Sequence, residues 1–190
     1  MDEPQAWEML GSTYLSQKPF MTLRQDRVRL PNGVVIDDYY VLEYPMWVNV
    51  VAVTTDDRLV LVRQYRHGLG RVGVELPAGA VDPNDVSVEA AARRELLEET
   101  GYGGGAWNSL CVVSANAGTH NNLAYSFLAV GVERVARPSP EATEDLQVLT
   151  ASFAEIARLI EAGEIVQAQH LAPLLKYLLR RVSEPPLPRS

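Results

Sequence analysis

The spacing of apolar and polar residues divides the chain into stretches that predict different elements. In residues 1–45, Pro31-Asn32-Gly33 is a turn signal, and Val34-Val35-Ile36 leading through Tyr39-Tyr40-Val41-Leu42 has strand composition. Short strands and turns of a small antiparallel unit are expected there. Apolar and β-branched residues dominate both 48–53 and 58–65, on either side of the turn Thr55-Asp56-Asp57, which predicts a hairpin opening a buried sheet. From Ser87 to Thr100 the pattern is helical: Ala90, Ala91, Ala92, Leu96 and Leu97 are good formers, Asp85 or Ser87 supplies an N-cap, and Gly101 terminates. Gly103-Gly104-Gly105 reads as a flexible turn, followed by strands at 110–113 and 124–130 with a polar loop between them. Residues 133–147, with Pro138, Pro140 and a cluster of acids, have loop chemistry, whereas 153–162 and 170–181 carry apolar positions at helical spacing. Pro185-Pro186-Leu187-Pro188 reads as a frayed tail, giving a division into 1–45, 46–182 and 183–190.

Composition narrows the class. A length of 190 residues argues for one compact unit rather than a two-domain enzyme, and 47% hydrophobic residues suffice for a sizeable core. With 17 Lys plus Arg against 24 Asp plus Glu the net charge is −7, so no global attraction to nucleic acid or to an anionic membrane is expected. A polyanionic substrate must then be met by local cations or by metal. The start, Met-Asp-Glu-Pro-Gln, lacks a basic and then apolar layout, and no apolar run approaches the ~20 residues of a membrane span. The single Cys111 has no disulfide partner and reads as a small buried hydrophobe, which fits a cytoplasmic protein.

The helix carries the chemistry. At about 100° per residue, with Glu95 set at zero, Glu99 falls at about 40° and Glu98 at about −60°, so three carboxylates share one face. Arg94 can neutralise Glu98 at the i,i+4 spacing, yet three acids sharing one Arg remain expensive unless a cation sits among them. Hard oxygen ligands point to Mg²⁺, with Mn²⁺ as the alternative, rather than zinc. Without a cation, the same string would be a solvated acidic face.

Glu75-Leu76-Pro77-Ala78-Gly79 precedes this helix, and with it the chain resembles the Nudix hydrolases. Their box, G-x5-E-x7-R-E-U-x-E-E-x-G-U with U apolar, is matched by Gly79, Arg94, Glu95, Leu96, Glu98, Glu99 and Gly101, with Tyr102 as the final bulky residue. Two departures stand out: Asp85 replaces the box Glu, and eight residues rather than seven separate it from Arg94, with Glu89 as a partial substitute. Residues 28–179 are similar to the ADP-ribose pyrophosphatase and nucleoside diphosphate sugar branch. The resemblance implies an α/β/α sandwich with a mixed central sheet and a small N-terminal antiparallel subdomain that joins a homodimer.

For the site, the resemblance implies metal on Glu95, Glu98, Glu99 and the Ala78 carbonyl, with substrate at Arg66 and Gly79. Arg66 could instead form a surface salt bridge, and His67 reads as a turn residue rather than a base. Catalysis is assigned to Glu144, Glu98 and Arg94. Glu144 is the first choice of base, Glu141 the second, and Glu98 the competing arrangement within the box. The adenine would stack on Trp7, Tyr14, Tyr39, Tyr40 or Trp47. The expected reaction is hydrolysis of ADP-ribose to AMP and ribose 5-phosphate. A Pro common in ADP-ribose members is replaced here by Ala117 or Gly118, which keeps GDP-mannose or a broad range of nucleoside diphosphate sugars as the alternative. Asp85 and the inserted residue also raise the alternative of a non-catalytic ADP-ribose sensor.

Overall fold

A computed structural model describes residues 3–18, 21–140 and 143–183. The chain divides into two compact units, Met1–Pro45 with Ser114–Asn122, and Met46–Val113 with Leu123–Ser190. This corrects the single compact unit expected from length: strands of the first 45 residues pair among themselves. It also moves 114–122, counted in the sequence reading with the larger domain, into the first unit. Of the expected tail, Ser183 ends a helix and 184–190 lie outside the described residues.

The first unit is an antiparallel sheet of β1 (Glu8–Lys18), β2 (Met21–Arg29) and β3 (Val35–Glu43) in that order. These strands are longer than the short ones expected. The Pro31-Asn32-Gly33 turn joins β2 and β3, with Gly33 at φ +86° and its N–H donating to the Leu30 carbonyl at 2.9 Å. Buried Asp26 accepts from Ser12 at 2.6 Å and from Arg24 Nε at 2.9 Å, so its charge is paired inside the unit. The 114–122 loop attaches to β3 by backbone: Leu42 N–H donates to the Thr119 carbonyl at 2.7 Å and Asn121 N–H to the Leu42 carbonyl at 3.2 Å.

The second unit is a mixed sheet between helices. Its strands are β4 (Trp47–Thr54), β5 (Leu59–Arg66), β6 (Arg71–Glu75), β7 (Ala78–Ala80), β8 (Tyr102–Val113), β9 (Ala124–Arg134) and β10 (Leu146–Ala151). The main order is β10-β5-β4-β9-β8, with β6 on β5 and β7 on β4. β4 runs parallel to β9 and antiparallel to β5 and β7. The expected hairpin is present but brief: β4 and β5 pair only at Ala52 with Val60 and Val53 with Leu59, after which β4 turns to β7.

Helix α1 (Val88–Thr100) covers one face, packing Ala91, Ala92 and Leu96 on Val48, Val50 and Val60. Helices α2 (Phe153–Glu161) and α3 (Ala168–Ser183) cover the other, packing Ile156 and Leu174 on Val51, Leu59 and Leu61. Val48, Val50 and Ala52 lie in the first of these cores and Val51 and Val53 in the second, which is why residues 48 to 53 of β4 are apolar on both faces apart from Asn49. The glycine run at 103–105 is a correction: it lies inside β8, paired with β9, rather than in a turn. Gly104 and Gly105 have φ of +74° and +72°, and a Cβ on Gly105 would stand 2.6 Å from the Val130 carbonyl oxygen. Cys111 is half-buried and packs against the α2/α3 core. Among the described residues, no helix is long and apolar enough to cross a membrane.

Candidate active site

Local signals set α1 in place. Ser87, not Asp85, is the N-cap, its hydroxyl accepting from Ala90 N–H at 3.1 Å, and Gly101 closes the helix at φ +74°. Between these caps the helix presents Glu95 and Glu99 inward, at 8% and 2% exposure, and leaves Glu98 half-buried. Two neighbouring residues in β7 meet them. Ala78 donates its backbone N–H to Glu99 Oε2 at 2.9 Å. Gly79 lies so close to Glu95 that a Cβ would overlap its carboxylate, which gives the box glycine a steric reason.

Burial pushes the Glu99 carboxyl up to about 8; Glu95 and Glu144 add repulsion, against the Ala78 N–H and Arg66. Glu95 is raised in the same way, first by burial and then by Glu144 and Glu98, with Arg94 opposing. Glu144, on the segment before β10, thus adds repulsion to both Glu95 and Glu99. Glu141, the second choice, lies outside the described residues.

Arg94 organises the rest. Its Nη1 donates to Glu95 at 2.9 Å and Glu98 at 3.0 Å, its Nη2 to the Ala80 carbonyl at 3.1 Å, and Nε and Nη2 to Asp85 at 3.1 and 2.9 Å. Asp85 thus pairs with Arg94 through both of its carboxylate oxygens. Arg94 in turn holds the Asp85 carboxyl below the usual carboxylate range. Glu89 does not substitute, because it pairs with Arg93 at 2.8 Å on an exposed face.

Arg66 is not in a surface salt bridge. Its Nε and Nη2 grip Glu75, which is 3% exposed, at 2.9 and 2.6 Å, and Glu99 and Glu144 also act on its charge. Arg63, three residues earlier, pairs instead with Glu164 at 3.7 Å. His67 starts a 3-10 turn over His67–Leu69, as a turn residue should. Of the aromatics considered for the base, Trp7, Tyr14 and Tyr40 are exposed, Tyr39 meets Trp7 edge-on, and Trp47 is half-buried in β4.

Sequence reasoning assigned no role to Glu75, Gln167 or His170. The signal for Glu75 was a lone charge between Val74 and Leu76; for His170, inside an ordinary amphipathic helix, there was none. His170 is fully buried with Nε2 3.5 Å from Glu75 Oε2, and burial pushes its pKa down to about 4, Glu75 opposing and Arg66 reinforcing. The unfolded chain, with a His pKa near 6.5, binds the proton first, so stability falls as pH drops from 6.5 towards 4. Urea denaturation at pH 7 and pH 4 is expected to show the wild type losing about 3 kcal/mol more than His170→Leu. Parallel losses would contradict a buried neutral imidazole.

The donor set suits a hard divalent cation. Six carboxylates, Glu75, Asp85, Glu95, Glu98, Glu99 and Glu144, outnumber the two guanidiniums Arg66 and Arg94 that pair with or act on them. Among the described residues no three acidic or imidazole side chains converge as a ready ligand cluster; Arg94 engages Glu95 and Glu98, and Ala78 N–H engages Glu99.

Comparison with known proteins agrees with this architecture. Residues 7–42 match the nucleoside diphosphate sugar hydrolase N-terminal domain and residues 44–174 the NUDIX domain. An ADP-ribose pyrophosphatase of Mycobacterium tuberculosis is 33% identical over 170 residues, 89% of this chain and 82% of that protein. One from Bacillus subtilis is 31% identical over 153 residues, 80% of each. A crystal structure of an ADP compounds hydrolase has the same fold, with a TM-score of 0.85 at 21% identity, over 98% of this chain and all of that one.

Proposed function

The chain belongs to the Nudix hydrolase family, and on that premise we propose that it hydrolyses the diphosphate linkage of ADP-ribose to AMP and ribose 5-phosphate. The observation that carries this reading is the buried carboxylate face of α1 with Arg66 and Glu144 in electrostatic reach, in a chain similar to two ADP-ribose pyrophosphatases. Members of this family use divalent metal ions, and we assign Mg²⁺, or Mn²⁺ in its place, to Glu95, Glu98, Glu99 and the Ala78 carbonyl. Bound there, such an ion would offset the negative charge of the diphosphate.

The chain's own residues do the remainder. Arg66 binds the diphosphate, held by its fork on Glu75. Gly79 leaves room for substrate and for the Glu95 carboxylate beside it. Arg94 is a positioning residue that keeps Glu95 and Glu98 apart in fixed orientations. Glu144 takes the proton of the attacking water at a carboxylate oxygen; the water oxygen joins one phosphorus and the bridging oxygen leaves with the other. Such general-base help is typically worth 10²–10⁴-fold. Glu144→Gln is therefore expected to lower kcat by about 100-fold or more with KM changed little, measured as AMP release. An unchanged kcat would move the base to Glu98.

Assay of ADP-ribose, GDP-mannose, UDP-glucose, NADH and diadenosine polyphosphates, each with Mg²⁺, Mn²⁺ or chelator, tests the substrate. Metal-dependent AMP release highest with ADP-ribose supports the reading. Preference for GDP-mannose would favour the second, which rests on Ala117-Gly118 standing where ADP-ribose members carry Pro. The first unit also supports a homodimer: its sheet buries few side chains, Asp26, Val28 and Val41, while Met9, Tyr14, Leu15 and Met21 are exposed. Light scattering is expected to give twice the 21.0 kDa of one chain, and a monomeric mass would exclude it.

A further inference from the structure

Glu75 is a buried carboxylate with no proposed metal or proton role, yet donors reach it from several directions. Its Oε1 accepts from Arg66 Nε at 2.9 Å and from Gln167 Nε2 at 2.8 Å. Its Oε2 accepts from Arg66 Nη2 at 2.6 Å and Gln64 Nε2 at 3.2 Å, and His170 Nε2 stands 3.5 Å away. Strand β5 thus approaches the carboxylate with Gln64 and Arg66, and the start of α3 with Gln167 and His170. That start is itself anchored to the sheet, because Asn49 Nδ2 on β4 donates to the Gln169 carbonyl at 2.9 Å.

His170 has no exposed surface, so it cannot touch substrate; neither of its ring nitrogens makes a hydrogen bond within the protein, and Nε2 is aimed at Glu75 Oε2 from 3.5 Å. Glu75 in turn grips Arg66 through two nitrogens, which fixes the plane of the guanidinium and not only its position. We propose that His170 is a positioning residue for the reaction: packed behind Glu75, it keeps that carboxylate turned towards Arg66 and so holds the guanidinium where the substrate diphosphate arrives. This rests on the reading of Arg66 as a phosphate contact. An apolar side chain at 170 fills the space but lets Glu75 rotate towards Gln64 and Gln167, and Arg66 then loses its two-point hold. Because Arg66 binds the phosphates before and during bond breaking, the loss falls on KM more than on kcat.

The test is steady-state kinetics with ADP-ribose and Mg²⁺ on the full chain, comparing wild type, His170→Leu, His170→Gln, Arg66→Lys and the Leu/Lys double variant. His170→Leu is expected to raise KM about tenfold with kcat within about twofold. His170→Gln, whose Nε2 reaches close to the imidazole Nε2, is expected to restore most of it. Arg66→Lys is expected to raise KM by itself, and His170→Leu to add nothing in that background. His170→Met, equally apolar and more adaptable, replaces the leucine variant if that one does not fold. An equal KM increase in both backgrounds would make His170 a structural residue and overturn the proposal alone. An Arg66→Lys variant with unchanged KM would overturn the reading of Arg66, and this proposal with it.

Discussion

Glu99→Gln is expected to lower metal-dependent turnover by at least about 100-fold while leaving the protein folded and no less stable. The two outcomes separate because they depend on different properties of the side chain. The amide oxygen of Gln can still accept the Ala78 N–H that Glu99 accepts at 2.9 Å, so β7 stays docked on α1. The charge, however, is gone, and with it both the ability to hold a divalent cation and the burial penalty that raises the Glu99 carboxyl. Activity across Mg²⁺ concentrations and a thermal melt of the metal-free protein check both halves. Turnover within a few fold of wild type would remove the assignment of metal to this face.

Gly79→Ala is expected to cost about 100-fold in kcat/KM and about 1–3 kcal/mol in stability. The added methyl would occupy the space of the Glu95 carboxylate, which is buried and tied to Arg94 at 2.9 Å, so it cannot swing away without breaking that contact. Displacing Glu95 also disturbs Glu98, held by the same nitrogen of Arg94. Crystallography of the variant together with its kinetics checks the cause. An alanine enzyme with full activity and Glu95 in place would show that the strand and helix yield at little cost. Gly79 was singled out in the sequence for substrate contact, and the structure adds its role as a gap for the buried Glu95 carboxylate.

Much of the site was legible because it lies on one helix. Rotation of about 100° per residue puts Glu95, Glu98 and Glu99 on one face whatever surrounds them, and Ser87, Gly101 and the apolar period announce that helix locally. The strands at 48–53 and 58–65 were legible for a similar reason, since β-branched apolar runs record burial on both sheet faces. The glycines at 103–105 were misread because turn composition is a local signal, whereas their membership of β8 depends on pairing with β9 about thirty residues later. Asp85 could be compared only with the box spacing until its loop was seen to deliver both oxygens to Arg94.

The sequence by itself determined the strands at 48–53 and 58–65, the capped helix α1 with its carboxylate face, the family resemblance and the acidic balance that calls for local positive charge. These follow from backbone periodicity and composition, which neighbours in the chain are enough to set. Only the tertiary structure decided that Asp85 rather than Glu89 meets Arg94, that Arg66 is bound to a buried Glu75, that Glu144 acts on Glu95 and Glu99, and that His170 stands behind Glu75. Those are relations between residues 9 to 95 positions apart, from Asp85 and Arg94 to Glu75 and His170. Burial and charge act through space, so what a side chain faces is set by how distant strands and helices pack and not by its neighbours along the chain.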